Sequence, residues 1–260
     1  MIRDPYARQG INDPHFYPML FYRPPRNDLA RRTTLSQITE TGASHHAAGL
    51  HYLSQETFEA IQTLLPAFDA ALHRVTSERT AYLRAAREGR EALSRLKDYL
   101  RDLWEVTRRR VRRHGEPAFV LGCYQLSANG SPPRVGSYGE WLLMADRVIA
   151  GEAQAIAQGY PPAVCPSVAE IQAVLTVAQN QQVVITMADR KYDEAQAALA
   201  TLRSQADALI HDAMEELRFA LRKLDAPSQR RIMRFYGATF VSRRGKGAGE
   251  EEGEPAQADL

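Results

Sequence analysis

Cysteine is nearly missing from this chain: Cys123 and Cys165 are the two in 260 residues. Two separate thiols give neither a disulfide framework nor a spaced metal motif, so they read as free thiols in a reducing compartment. No run of 18 apolar residues occurs, which argues against a membrane-spanning helix. Met1 to Gly10 carry charges without an apolar stretch, so no secretory leader is read there and the expected location is cytoplasmic. Charge of one sign is lacking as well. With 33 basic against 31 acidic residues and a net charge of +2, the whole molecule carries no electrostatic footprint for nucleic acid or a membrane surface.

The marks of chemistry are equally sparse. Gly122 has none of the glycines and the lysine that would make a phosphate-binding loop around it, and no dinucleotide fingerprint follows a strand. Cys123 lies in an apolar run, the setting of a structural thiol. His45, His46 and His51 cluster but lack the four-residue helical spacing with a nearby carboxylate that a metal site needs, so they read as a polar linker. Glu170, Asp189, Glu194, Asp212, Glu215 and Glu216 could supply acids to a di-metal bundle. Such a bundle needs Glu-x-x-His on its helices, and His211 has Ala208 at the third position before it. No catalytic, cofactor or metal residue is assigned, and the chain is read as a non-enzyme.

Proline and glycine are missing altogether from Ser167 to Leu224, and what fills that stretch organises the chain. A largely apolar seam steps by three and four through Ile171, Val174, Ala178, Gln181, Ile185, Ala188, Tyr192, Ala195, Leu199, Leu202, Ala206, Leu209 and Ala213. That near-3.5 repeat belongs to a helix packed lengthwise on another helix. Ser167 with Glu170 forms a capping box at its start, and Pro227 blocks its continuation. A second ladder runs from Phe58 through Ile61, Leu65, Phe68, Leu72, Tyr82, Leu93 and Leu100 to Leu103, with Ser54 as N-cap, Leu53 placed to staple onto Phe58, and Gly115 and Pro117 as the stop. Pro66 inside it predicts a kink or break near Leu65. Glu140 to Gln158 predicts a third, shorter helix and Pro227 to Arg234 a fourth, with the rings of Phe235 and Tyr236 folding back at the Gly237 stop. From Thr33 to Gly49 a short helix is expected around Leu35 to Thr41.

Residue n matches residue n+110 without a gap from Tyr82 to Pro117: Tyr82 with Tyr192, Ala85 with Ala195, Ser94 with Ser204, Asp102 with Asp212, Glu105 with Glu215, Arg108 with Arg218, Arg112 with Arg222 and Pro117 with Pro227. This reads as an internal duplication, copy one 54–117 and copy two 140–241. The matched charges fall on one helix flank, acid before base, the favourable order for side-chain pairs and dipole.

The fold class is therefore all-α, an elongated antiparallel bundle or coiled coil of two long helices with shorter ones alongside, as residues 33–241. Phe119 to Leu126 followed by Asn129 and Gly130 is open between a small β-hairpin at 119–137 and an irregular loop. Residues 1–32, rich in Pro and aromatics, read as an extended arm, with Phe16, Tyr17, Phe21 and Tyr22 as contacts to its own bundle or to a partner. Residues 242–260 read as a disordered charged tail. The order of short helix, Gly and Pro turn, long heptad helix and then Pro227, Ser228, Gln229, Arg230 and Arg231 leading to Tyr236 and Gly237 resembles uncharacterised bacterial all-helical proteins. That resemblance implies a fold and carries no activity.

Two functions are compatible with this reading. The leading one is a structural or scaffolding protein that self-associates or binds a protein partner through helix faces, without cofactor and without membrane. The alternative is nucleic-acid binding through Arg108, Arg109, Arg110, Arg112 and Arg113 at the end of the first long helix, with Trp104 and Tyr124 near enough in sequence to stack on bases. The same arginines also complement the helix dipole, as a solvated helix end would.

Overall fold

The computed structural model describes residues 20–242. Chain order is β1 (Leu20–Arg23), α1 (Asp28–Ala47), α2 (Gln55–His114), α3 (Phe119–Cys123), α4 (Tyr138–Ala157), α5 (Val168–Ala220), α6 (Ala226–Phe235) and β2 (Thr239–Ser242). The all-α class holds, with α2 and α5 as the two long helices packed on each other. The described chain divides into two compact units, one of residues up to Ala70 together with those from Ala200, the other Ala71–Leu199.

The helix ends follow local chemistry. Ser54 caps α2, its Oγ accepting from the Thr57 amide at 3.2 Å, and Ser167 and Glu170 close the capping box of α5, the Ser167 amide donating to Glu170 Oε2 at 2.7 Å. Ser137 and Glu140 do the same for α4. Pro66 does not break α2. Its missing N–H would have served the carbonyl of Gln62, and both residues lie on the exposed face, open to solvent, while buried Ile61, Leu64 and Phe68 hold the opposite face.

Three expectations change. Helix α1 is 20 residues long rather than a short helix within 33–49, so helix rather than arm begins at Asp28. Asn27 caps it, accepting from the Ala30 amide at 2.8 Å, and it ends at left-handed Gly49 (φ 74°), with the Leu50 amide returning to the His45 carbonyl at 2.8 Å. No hairpin forms at 119–137, because Phe119–Cys123 is helical. Val120, Leu121, Cys123, Tyr124 and Leu126 are all buried, which suits a plug enclosed on several sides better than an alternating strand. Asn129 and Gly130 do make a tight turn, the Ser127 amide donating to the Ser131 carbonyl at 3.0 Å, but Pro132 and Pro133 then remove the donors a return strand would need. Finally, β1 pairs antiparallel with β2, Tyr22 opposite Phe240. The rest of the arm, with Phe16 and Tyr17, and the tail from residue 243 lie outside the described residues.

The first unit closes its core with Leu35 and Ile38 of α1, Phe58, Ile61 and Phe68 of α2, Ile210 and Met214 of α5, and Met233 of α6. Tyr236 is buried here, whereas Phe235 stays exposed, so one ring of the pair folds back rather than both. The second unit centres on Leu96, Leu100, Trp104, Val120, Tyr124, Trp141, Val148 and Ile171. Within it α2 and α5 run antiparallel: Tyr82 stacks on Tyr192, ring centres 6.3 Å apart, and Ile185 lies over Gly89.

Candidate functional site

The basic end of α2 separates into different roles. Arg110 turns inward: its Nε donates to Glu116 Oε2 at 3.1 Å, its Nη1 to the Pro161 carbonyl at 2.7 Å, and its guanidinium lies 5.9 Å from the centre of the Tyr124 ring. Arg109 pairs with Glu105 one turn back. The stem of Arg108 packs over Gly130, whose Cβ, if present, would lie 3.1 Å from Arg108 Cδ. Arg112 and Arg113 point to solvent. The expected stacking rings are in the core: Trp104 donates its indole N–H to the Tyr124 carbonyl at 2.9 Å, and both side chains are buried.

Beneath Arg110 lies a buried polar cluster that the sequence reading missed. Glu152 sits on the inner face of α4, accepting from the Tyr124 hydroxyl and, at 2.6 Å, from the Ala163 amide. Burial, then the hydrogen bond and charge of Glu152, push the Tyr124 phenol far above its ordinary range. The phenol therefore stays protonated and acts as a fixed donor. Chemically this is a lock, since Glu152 joins α4, the segment after α3 and the loop leading to α5 through two hydrogen bonds. One sequence signal could have found it: Glu152 stands where an apolar residue is expected, one turn from Val148 and close to Ala155, both buried.

The histidines lie at the end of α1 and just beyond it, packed rather than free in a linker. His45 Nδ1 is 2.7 Å from the Tyr236 hydroxyl, and the His46 ring lies 4.8 Å from both His51 and Phe58. Burial is the main cause that pushes Tyr236 up to about 12. Among the described residues no group of three or more His, Cys, Asp or Glu side chains is placed to hold a metal ion. Both cysteines are free, and burial raises the Cys123 thiol. Four of the six candidate acids of α5 have structural partners: Glu170 caps its own helix, Glu194 pairs with Arg190 and Glu215 with Arg218. Glu216 reaches the start of α2, accepting from the Ser54 amide at 2.7 Å and from the Thr57 hydroxyl at 2.6 Å.

Of the arm residues, Tyr22 docks on its own unit. Its ring lies 5.6 Å from the Arg218 guanidinium and 6.4 Å from Phe240, edge to face. Phe21, the next residue along β1, faces away and is exposed. In the second unit a groove of about 660 Å³ runs along one flank of α2, lined by Thr76, Ser77, Thr80, Ala81, Arg84 and Glu88 with Val184 of α5. No helix among the described residues is long and apolar enough to cross a membrane. No protein-family model, curated protein or solved structure matches this chain.

Proposed function

We propose that the protein is a non-enzymatic structural or scaffolding protein that associates through its long amphipathic helices, with itself or with a helical partner. One correspondence supports this reading: at an offset of 110 residues the two halves match element by element, and if the chain is a duplication each compact unit takes parts from both copies. Helix α4 begins at Tyr138, 110 positions after Asp28 of α1, and both helices are 20 residues long. Buried Thr34, Leu35, Ile38 and Gly42 of α1 correspond to Met144, Ala145, Val148 and Glu152 of α4. Left-handed Gly49 corresponds to Gly159, and the Leu50-to-His45 bond corresponds to the Tyr160-to-Ala155 bond. Along the long helices, buried Ile61, Phe68, Ala85, Leu100 and Leu103 correspond to Ile171, Ala178, Ala195, Ile210 and Ala213.

The repeat on this reading starts at α1, earlier than residue 54. The first unit joins α1 and the front of α2 to the back of α5 and α6, and the second joins α4 and the front of α5 to the back of α2 and α3. A repeat that completes its core with the far end of another repeat carries faces shaped for that pairing, met here within one chain and offered equally by a second copy. The test is mass in solution by sedimentation equilibrium from about 1 to about 100 µM, the span in which modest interfaces form. Mass rising above that of the 29.1 kDa chain supports the reading, and a monomer at every concentration refutes self-association.

The nucleic-acid alternative keeps Arg108, Arg112 and Arg113 as phosphate contacts, since Arg109 and Arg110 are engaged in ion pairs. Glutamine at those three positions should remove any binding seen at about 50 mM salt if the alternative holds.

A further inference from the structure

In the second unit, no residue of α2 between 71 and 84 and none of α5 between 179 and 194 is buried. Two helices alone cannot enclose their own ladder, so Leu72, Val75, Tyr82, Ile185 and Tyr192 remain half-buried there. On the flank beside them, Arg74, Ser77, Ala81, Arg84 and Glu88 follow one another at the three-and-four spacing of a helix face prepared for another helix. Val177 and Val184 of α5 stand exposed along the same flank, in the walls of two grooves that share Glu88.

The charges on this face specify an occupant. Within one copy Arg84 already pairs with Glu88 one turn on, at 2.8 Å on the surface. If a second copy packs its α2 antiparallel across the first, with the two-fold axis at Ala81, Arg74 of the other copy joins Glu88 and Glu78 of the other copy joins Arg84, extending that surface pair into a network across the axis, and symmetry repeats it. Moving the axis to Leu83 sets Glu78 against Glu88, and moving it to Arg79 sets Arg74 against Arg84. Both shifts put like charges opposite each other, which costs affinity and suppresses wrong registers. At the axis itself, Ser77 and Ala81 are small and exposed, so the helices can approach closely. We infer that this flank of α2 and α5 is a homodimer surface, paired antiparallel about Ala81 and held in register by Arg74, Glu78, Arg84 and Glu88. The inference rests on the self-association reading above and gives it a surface.

Its size sets the expected strength. From residue 73 to 89, the span symmetric about Ala81, the helix rises about 24 Å, and two helices side by side are about 20 Å wide. That covers about 480 Å² per copy, well below the ~800 Å² of a standard interface, the size of a weak dimer that forms toward the upper end of the tested concentrations.

The full-length chain is tested with two charge-reversal pairs, Arg74→Glu with Arg84→Glu, and Glu78→Arg with Glu88→Arg, by sedimentation equilibrium. Each pair alone sets like charges across the axis and should weaken the dimer at least about tenfold. The two variants mixed in equal amounts restore opposite charges and should form a one-to-one dimer as tight as the original. Far-ultraviolet circular dichroism checks that both variants stay folded; Arg74 and Arg84 are exposed, and Glu78 and Glu88 are half-buried at the helix flank. A second variant avoids charge altogether: Ala81→Cys, with Cys165→Ser to remove the other exposed thiol, should give a covalent dimer on mild oxidation. A parent chain that is monomeric throughout overturns both this inference and the self-association reading. Variants that dimerise as well as the parent, or that fail to pair when mixed, overturn the surface and leave the self-association reading standing.

Discussion

Replacing Gly151 by alanine tests how closely α3 and α4 meet. A Cβ built at Gly151 would lie 1.6 Å from the Cys123 carbonyl oxygen and 2.5 Å from its carbonyl carbon, where ordinary carbon–oxygen contact begins at about 3.3 Å. The obstacle is backbone, so no side chain can swing aside. Relief requires the two helices to part by about 1.5 Å, a gap that forfeits more than half of the dispersion well for each facing atom pair. Those pairs include buried Val120, Leu121 and Cys123 on one side and Ala145, Val148 and Ala155 on the other. Overpacking relieved by side chains costs about 1–3 kcal/mol; with backbone on both sides the expected loss is about 3–5 kcal/mol. The assay is urea unfolding followed by tryptophan fluorescence. Both tryptophans of the chain, Trp104 and Trp141, lie in the second unit with their rings 6.2 Å apart, so the signal reports on that unit. Gly139→Ala, in the first turn of the same helix and with open space where its Cβ would stand, is the control and should gain about 0.5–1 kcal/mol. If Gly151→Ala stays within about 0.5 kcal/mol of the parent, the α3–α4 packing described here is wrong.

Other expectations follow from single contacts. Glu216→Gln removes the negative charge that accepts from Ser54 and Thr57 at the start of α2, and should cost about 1–2 kcal/mol in thermal or urea unfolding. Gly89→Ala should be close to neutral, because a gain of about 1 kcal/mol in helix propensity is offset by displacing the Ile185 Cδ1 methyl, which would lie 2.3 Å from the new carbon. Asp28 is held below the ordinary carboxylate range, first by hydrogen bonds from Arg203 at 2.7 Å, so its stabilisation is complete above the unfolded value near about pH 4. It is lost as pH falls through the lowered folded value; Asp28→Asn should cost about 1 kcal/mol at neutral pH, allowing for solvent screening, and flatten the acid limb of a stability–pH curve.

What was legible in the sequence was periodic or punctuated. The ladders of α2 and α5 could be read because each apolar residue recurs on a helix seam, and their starts because Ser54, Ser167 and Glu170 have one local job. Helix α1 could not be read to its full length because its inner face is made by Thr34, Leu35, Ile38 and Gly42, of which two are polar or lack a side chain. The apolar run at Phe119 to Leu126 was ambiguous for a related reason. Periodicity cannot separate a short enclosed helix from a strand when nearly every residue is buried. The pairing of β1 with β2 joins segments more than 200 residues apart, and nothing local in either four-residue strand names the other. The Glu152 lock escaped because its partners, Tyr124 and the Ala163 amide, come together only in three dimensions, while the basic run before it looked like one feature and is at least three.

The two units meet a similar requirement in different ways. Each holds a buried tyrosine just after a short helix, Tyr124 after α3 and Tyr236 after α6. In the second unit that hydroxyl donates to Glu152 near the end of α4, while in the first it meets His45 near the end of α1. A buried hydroxyl must keep a partner, because leaving it unpaired costs about 1–3 kcal/mol, and either a carboxylate or an imidazole can serve. On the duplication reading the requirement was inherited and the partner was not. Each unit also keeps a crowded inner position of its 20-residue helix bare, Gly42 because the Phe58 ring fills its space and Gly151 because the Cys123 carbonyl does. The two glycines are not counterparts at the 110-residue offset, so on the duplication reading the need for a close approach was met anew in each copy.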